Sequence, residues 1–476
     1  MRPPSAAALK PTPHERMDPG TRHLARRAFL ADQYRLTAAG TERARAAGLV
    51  NADWYKPPVA RALMKTLLQR SDTGAIRDTV LWYALIVTSG VLAHFALGTA
   101  WAVPAFLLYG TLYCGPADSR WHECGHGTAF KTRWMNDALY QVASFQVLRR
   151  PTVWRWSHAR HHTDTLVVGR DPEIAAQVPT RWSVVLGNIA GLAHVSGELR
   201  RLLLNVAGWL DAEEETFVPE SERPKIAREA RIWAAIYLCV FAACIALHSI
   251  VPLLYIGLPS LYGAWLYHFF GLTQHAGLPE NVTDHRLNCR TVYMNPVFRF
   301  LYWNMNYHVE HHMFPMVPYH ALPRLHAALR SEMPPPYPST LAAYREIIPA
   351  LVRQTRDPGY SVERPAATDC RGRAMSQWVA AGRLDDIDDE DVRRFDHGGR
   401  TFAVYRMGSE VYASDGLCTH EQAHLADGFL FDHVIECPKH NGRFDIRDGR
   451  PLGAPVCIAL RTYPAKVEGG RIFIEI

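Results

Sequence analysis

Residues 306–315 read Asn306-Tyr307-His308-Val309-Glu310-His311-His312-Met313-Phe314-Pro315. Histidines at i, i+3 and i+4 share one face of a helix, so this stretch aims three imidazoles at one point. The same spacing recurs at His158, His161 and His162, and His122 and His126 stand at i, i+4. Histidines repeated in three such clusters are hard to explain as packing. They read as the lining of a metal site with imidazole ligands. His275, in Thr273-Gln274-His275-Ala276-Gly277-Leu278, brings the set to nine. That is too many for one ion and suits two, each with four to five protein ligands and a position left for oxygen. A neutral, nitrogen-rich set selects a transition metal such as iron over calcium or magnesium.

The clusters alternate with apolar runs. The chain has 476 residues and is 48% hydrophobic overall, an average that hides strong segregation. Val80–Thr99, Ala100–Cys114, Ile232–His248 and Ile250–Phe270 contain no Asp, Glu, Lys or Arg. A membrane span needs ~20 apolar residues, so these read as four transmembrane helices in two hairpins; the bland alternative for each is a buried soluble helix. Basic residues flank them on one side only: Arg61, Lys65, Arg70 and Arg77; Arg120, Lys131 and Arg133; Arg223, Lys225, Arg228 and Arg231; Arg286, Arg290 and Arg299. By the positive-inside rule the long polar segments, and every histidine cluster, face the cytoplasm. Ser183–Leu210 is half apolar and suits a helix lying in the membrane interface. Part of Thr21–Ala47 reads as an amphipathic cap. The Pro- and Arg-rich start has no apolar run, so no cleavable signal is expected. The net charge of +6 comes from scattered basic residues without a nucleic-acid motif. The nine cysteines are an odd number without scaffold spacing, which points to a reducing compartment.

The boxes His122-Glu123-Cys124-Gly125-His126, His158-Ala159-Arg160-His161-His162 and His308-Val309-Glu310-His311-His312 resemble those of the membrane-bound fatty acid desaturase and hydroxylase superfamily over about residues 75–345. The resemblance implies a non-haem diiron centre on the cytoplasmic face of a four-helix membrane domain and O2-dependent attack on an unactivated C–H bond. His275 resembles the extra histidine that family members place between boxes two and three. Asp171 and Asp284 are candidates to accept hydrogen bonds from ligand imidazoles. His194, His248, His268 and His320 fit no box and read as structural.

Asp357–Arg373 is Pro-rich and polar and reads as a linker. Beyond it, short alternating runs such as Thr401–Tyr405, Val434–Glu436 and Arg471–Ile474 predict a small all-β domain. Cys418-Thr419-His420 and Cys437-Pro438-Lys439-His440 supply two thiolates and two imidazoles, a set that zinc also accepts. The paired C-x-H and C-x-x-H loops, with Gly442-Arg443-Phe444-Asp445 and Gly453-Ala454-Pro455, resemble a Rieske [2Fe–2S] module, in which two Cys hold one iron and two His the other. Cys457 is the only further cysteine there, so the loop disulfide of respiratory Rieske proteins has no pair; the module resembles the ferredoxins that feed oxygenases. His424 and His433 miss the ligand spacing.

The expected organisation is therefore 1–74, an N-terminal cytoplasmic segment; 75–345, an α-helical integral membrane domain; 346–374, a linker; and 375–476, a small all-β Rieske domain. Cytoplasmic-membrane residence follows, with lipid as a partner. No Gly-x-Gly-x-x-Gly follows a strand, so an external NAD(P)H-dependent reductase is expected to reduce the Cys418/His420/Cys437/His440 cluster. The tether serves the same chain or a neighbouring copy. Tyr302–His308, preceded by Asp284-His285-Arg286-Leu287, resembles a subgroup that includes a rhizopine oxygenase, a Rieske-assisted O-demethylase. Hydroxylating a methyl next to oxygen or nitrogen gives a hemiacetal or hemiaminal that releases formaldehyde. The leading expectation is a monooxygenase of this kind on a small molecule. The runner-up is a fatty-acyl desaturase or alkyl hydroxylase; a metal store or redox sensor is the third.

Overall fold

The computed structural model describes residues 29–50, 52–364, 378–420, 423–439, 442–452, 456 and 458–476. Among the described residues, those up to Arg356 build a helical part. Helices α1 (Asp72–Phe95) and α2 (Ala102–Gly125) form a hairpin. Trp82 is fully buried between them and donates from Nε1 to the Leu112 carbonyl at 2.7 Å. The opposite face of α1 leaves Val80, Val87 and Phe95 exposed. Among the described residues, two helices are long and apolar enough to cross a membrane: α1 and the segment Glu220–Ala246, whose α-helical part is Arg223–Ala246.

The other two expected spans differ from the sequence reading. Ala100–Cys114 is the first part of α2, which continues to Gly125 and buries Asp118, Arg120 and His122 in its last turns. Burial of Arg120 is tolerated because its guanidinium donates to the Phe300 carbonyl at 3.0 Å and lies over Trp82 and Trp303. Ile250–Phe270 is not one helix. It is broken into Val251–Tyr255, Pro259–Tyr262 and the start of a longer helix, Trp265–His275. Gly257 sits at φ 105°, and Gly263 crosses Gly110 so closely that a Cβ there would lie 2.0 Å from the Gly110 carbonyl oxygen. Close packing at this crossing breaks the helix where hydropathy alone sees a continuous run.

Helices α3 (Arg133–Gln146), α4 (Pro151–Thr163), α5 (Trp182–Ile189), α6 (Leu192–Val206) and α7 (Arg223–Ala246) follow; α3 packs against α2, and α7 against α6 and α4. The expected single interfacial helix Ser183–Leu210 is thus two, hinged at Gly191 with φ 66°. Leu186, Leu192 and Leu203 are exposed, but Glu198 turns inward. Its carboxylate accepts from Arg150 Nε at 2.9 Å, and Arg150 also meets Asn205 and Glu214. The pair locks α6 to the start of α4.

Helix α8 (Trp265–His275), the short α9 (His308–Met313), α10 (Leu322–Leu329) and α11 (Thr340–Arg356) complete the helical part. α11 buries Ile347, Ala350 and Leu351, so the helical domain runs past the expected boundary at 345; residues 365–374 of the expected linker lie outside the described ones. So does the start of the expected N-terminal cap, whose described part includes the helix Ala38–Ala46.

The remainder is all β. Strands β1 (Trp378–Arg383), β9 (Ala465–Glu468) and β10 (Arg471–Glu475) form one sheet in the order β1-β10-β9. Strands β2 (Asp391–His397), β3 (Arg400–Met407), β4 (Glu410–Asp415) and β8 (Thr462–Tyr463) form a second. Strands β5 (Phe429–Phe431), β6 (Val434–Glu436) and β7 (Arg443–Asp445) form a small third sheet. Alternation puts Ala403 and Tyr405 of β3 and Ile435 and Phe444 of the third sheet into one core, together with Cys418 and Cys437.

Candidate metal centre

Box one closes α2, box two closes α4 and box three is α9, so three helix ends deliver their histidines to one buried place. The ring nitrogens of His122, His126, His158, His162 and His311 all lie within 4.8 Å of one another, and those of His161, His275, His308 and His312 form a second group on the same criterion. All nine predicted histidines are thus brought together, as five and four. The two groups abut: the rings of His162 and His312 stack at 4.4 Å.

The contacts inside each group fit a cation. His158 Nε2 stands 3.2, 3.1 and 3.1 Å from Nε2 of His122, His126 and His162. One ring nitrogen carries at most one proton, so it cannot satisfy three facing lone pairs. In the second group His308 Nε2 meets His275 Nε2 and His312 Nε2, both at 3.0 Å. Each group could hold a metal ion, which would satisfy what hydrogen bonds cannot.

Outer partners set the ring tautomers. His161 Nδ1 donates to Asp171 at 2.9 Å, His158 Nδ1 to Glu173 at 3.1 Å and His275 Nδ1 to the Asn288 carbonyl at 2.8 Å. In the neutral ring each such bond puts the proton on Nδ1 and leaves Nε2, turned inward, as the free lone pair that a ligand requires. Asp171 is held in turn by the backbone N–H groups of Leu166 and Glu173. Asp284, the other expected partner, does not reach the set. It caps the helix His285–Asn288 and pairs with Arg286 at 2.7 Å. Two residues apart on an extended turn, the pair satisfies itself first.

Burial, then repulsion among neighbouring rings, holds His162, His308, His311 and His312 well below the usual imidazole range. The same causes bring His275 down to about 3. Rings in this neutral form bind metal without first losing a proton. His161 is the exception: burial opposes its charge, but Asp171 outweighs burial and raises it. Burial would raise Glu173, yet His158 and His161 beside it bring it down to about 2. It is therefore a charged acceptor at neutral pH.

Glu173, Asn288 and the acids within the boxes were not singled out by the sequence reading. Glu123 points away from the nitrogens and accepts from Thr128 Oγ1 at 2.7 Å and the Tyr319 N–H at 2.9 Å. Glu310 accepts from Thr291 Oγ1 and His326 Nδ1, both at 2.5 Å. Each pins its box to the scaffold. The usable signal was their position: an acid between two ligands of one short helix faces the other way. His194 bonds the Val147 carbonyl, in keeping with a structural role. His285 stacks on Trp54 and forms a further buried group with Cys289 and His312.

A cavity of about 250 Å³ opens onto both groups, lined by His122, His158, His161, His275 and His308. Its other walls mix Trp121, Trp154 and Tyr267 with Asp118, Arg149, Asn188, Gln274 and Glu280. Asp118 pairs with Arg149 at 2.5 Å, and Arg149 lies over Trp121 and Trp154.

The β domain presents a second cradle. Cys418 and Cys437 are buried, and neither is in a disulfide. The Cys418 N–H donates to the Ala423 carbonyl and the Cys437 N–H to the Gly442 carbonyl, each at 2.8 Å, closing the two ligand loops as turns. Gly442 is required, since a Cβ there would meet Val456 Cγ1 at 2.4 Å. His440, Cys457 and Gly453–Pro455 lie outside the described residues. His424 caps a turn, accepting from the Ala426 N–H, and His433 lies against Tyr412.

Residues 99–343, about half of the chain, match the fatty acid desaturase family. The chain belongs to this family. Its desaturase domain is joined to a second one, for residues 377–464 match the Rieske [2Fe-2S] domain. Over 100 residues the chain is 45% identical to the ferredoxin component of the naphthalene 1,2-dioxygenase system of Pseudomonas aeruginosa, covering 21% of this chain and 96% of that protein. It is 32% identical over 102 residues to the anthranilate 1,2-dioxygenase ferredoxin subunit of Burkholderia cepacia, covering 21% and 94%. Among solved structures, the ferredoxin of carbazole 1,9a-dioxygenase from Nocardioides aromaticivorans IC177 is 37% identical, covers 21% of this chain and 97% of its own, and has a TM-score of 0.20. This member of the desaturase family thus carries its own ferredoxin-like domain.

Proposed function

We propose that this protein is a membrane-bound, O2-dependent monooxygenase with a diiron centre, acting on a small polar molecule and supplied with electrons by its own Rieske domain. One observation carries the reading: nine convergent imidazoles in groups of five and four, with members of both groups lining a small mixed-polarity cavity. Two irons held by those nitrogens would supply O2 activation for attack on a substrate C–H bond. Cys418, His420, Cys437 and His440 would hold the cluster that passes electrons singly. The balance is one O2, two electrons and two protons per substrate C–H, giving C–OH and water. Where the hydroxylated carbon is a methyl on oxygen or nitrogen, the product loses formaldehyde.

The chain's own residues do the rest. Asp171, Glu173 and the Asn288 carbonyl hold three rings in the ligand tautomer. Glu123 and Glu310 fix the box helices. The cavity favours a small substrate: its volume lies below the ~300–1,000 Å³ typical of drug-sized ligands, and Asp118, Arg149, Asn188 and Gln274 offer hydrogen bonds an acyl chain cannot use. Several membrane passes and a cytoplasmic centre are part of the proposal, supported by the apolar exposed faces of α1 and α7 and the basic flanks. An NAD(P)H-dependent reductase is the proposed external partner.

Anaerobically purified protein should contain roughly four irons per chain, two from each site. With reductase, NADH and candidate methyl ethers or amines it should release formaldehyde or a hydroxylated product. Formation of a new double bond in membrane acyl chains, with no small-molecule product, would refute the proposal.

A further inference from the structure

The histidine centre is approached from two sides. The first is the cavity already described. The second is a cleft between the domains, lined on the helical side by Gly125, His126, Trp156 and Ala159 and on the β side by His420 and Val456. The two share no residue. Helix α4 separates them: Trp154, His158 and His161 face the first, while Arg155, Trp156 and Ala159 face the second. That division follows from helical spacing, which puts 154, 158 and 161 on one side and 155, 156 and 159 on another. His420 is a proposed cluster ligand and His126 a proposed iron ligand, so the cleft brings one residue of each cradle to a common space.

One further contact holds the β domain here: Arg461 donates to Asp53 at 2.8 Å. Asp53 thus straps the β domain to the helical one, and Trp54 beside it stacks on His285. The helical rim of the cleft carries four cations, Arg70, Lys131, Arg133 and Arg155, against one acid, Asp137, which pairs with Arg155 at 3.3 Å, so the rim is net basic. A cluster that gains an electron becomes one charge more negative, so a cationic rim favours the reduced module over the oxidised one.

Building on the proposed function, we propose that the Rieske domain docks on its own chain at this cleft and passes electrons to the histidine centre from the His126 side, while substrate uses the opposite cavity. Each transfer would take one electron from a reduced cluster held by Cys418, His420, Cys437 and His440 and give it to one ferric ion held by the histidines. Tethering keeps the donor at high local concentration, and separating the entrances lets a second electron arrive with substrate in place.

The test uses the full-length protein with both iron sites loaded. Asp53→Cys together with Arg461→Cys, bridged by a short bis-maleimide that spans the length of the lost side chains in a mixture of light and heavy isotope-labelled protein, should give a cross-link joining peptides of one label only. Equal amounts of mixed-label cross-link, or none, would overturn same-chain docking. Lys131→Glu with Arg133→Glu should slow reduction of the histidine-bound iron by the reduced cluster at least tenfold, read by stopped-flow absorption. Dithionite reduction of that iron, iron content and the Rieske spectrum should not change. Unchanged cluster-to-iron transfer in this variant would refute entry at the cleft. Absence of iron from the histidine set would instead refute the functional reading beneath it.

Discussion

The two cradles of this protein are built in opposite ways. The histidine centre is assembled from helix ends far apart in the chain, from His122 to His312, and His158, His161 and His275 are oriented by Glu173, Asp171 and the Asn288 carbonyl. The Rieske cradle sits on two neighbouring turns of one small β domain, and its loops close through their own backbone hydrogen bonds. The first depends on the whole helical fold for its geometry. The second is local and should survive damage elsewhere. The difference teaches where each site is vulnerable, and substitutions can separate them.

The largest effect is expected at the junction of the histidines. His311 Nε2 contacts both His122 and His162, at 2.7 and 3.3 Å. His311→Ala should abolish turnover and lower the iron content, while the Rieske absorption stays at full intensity. Full activity in this variant would break the assignment. Cys437→Ser should do the reverse: it should remove the Rieske absorption and stop NADH-driven turnover, yet leave iron in the histidine centre reducible by dithionite. If it also emptied the histidine centre, the two cradles would not be independent.

Smaller effects sharpen the contrast. Asp171→Asn removes a charged acceptor from His161 and should cost about 10–100-fold in iron affinity or activity, measured by iron retention against a chelator. Removing a local partner in the β domain should have no such reach. Glu198→Gln leaves the buried Arg150 without its main charge partner, which typically costs about 3–5 kcal/mol. Heat should then inactivate the desaturase-family domain at a lower temperature, with the Rieske spectrum lost at the same temperature as in the parent protein.

Much of this was legible because the chemistry is periodic. The i, i+3, i+4 spacing in boxes two and three and the i, i+4 spacing in box one identified eight of the nine nitrogens, and the alternating runs near 401–405, 434–436 and 471–474 marked strands that the fold contains. What escaped was long-range. Ile250–Phe270 reads as one span by hydropathy, but its helix breaks where Gly263 meets Gly110, a contact between segments about 150 residues apart. Asp171 and Asp284 look alike in sequence; only the fold puts one beside an imidazole and the other beside Arg286. Glu173 and Asn288 have no motif at all.

By itself the sequence determined which atoms can bind metal, because ligand type and local spacing are properties of a short stretch of chain. The tertiary structure decided how nine rings divide into five and four, which acids orient them, and that two separate openings reach them. Those outcomes depend on packing between segments brought together by folding, and a spacing rule carries no record of the distances that packing creates.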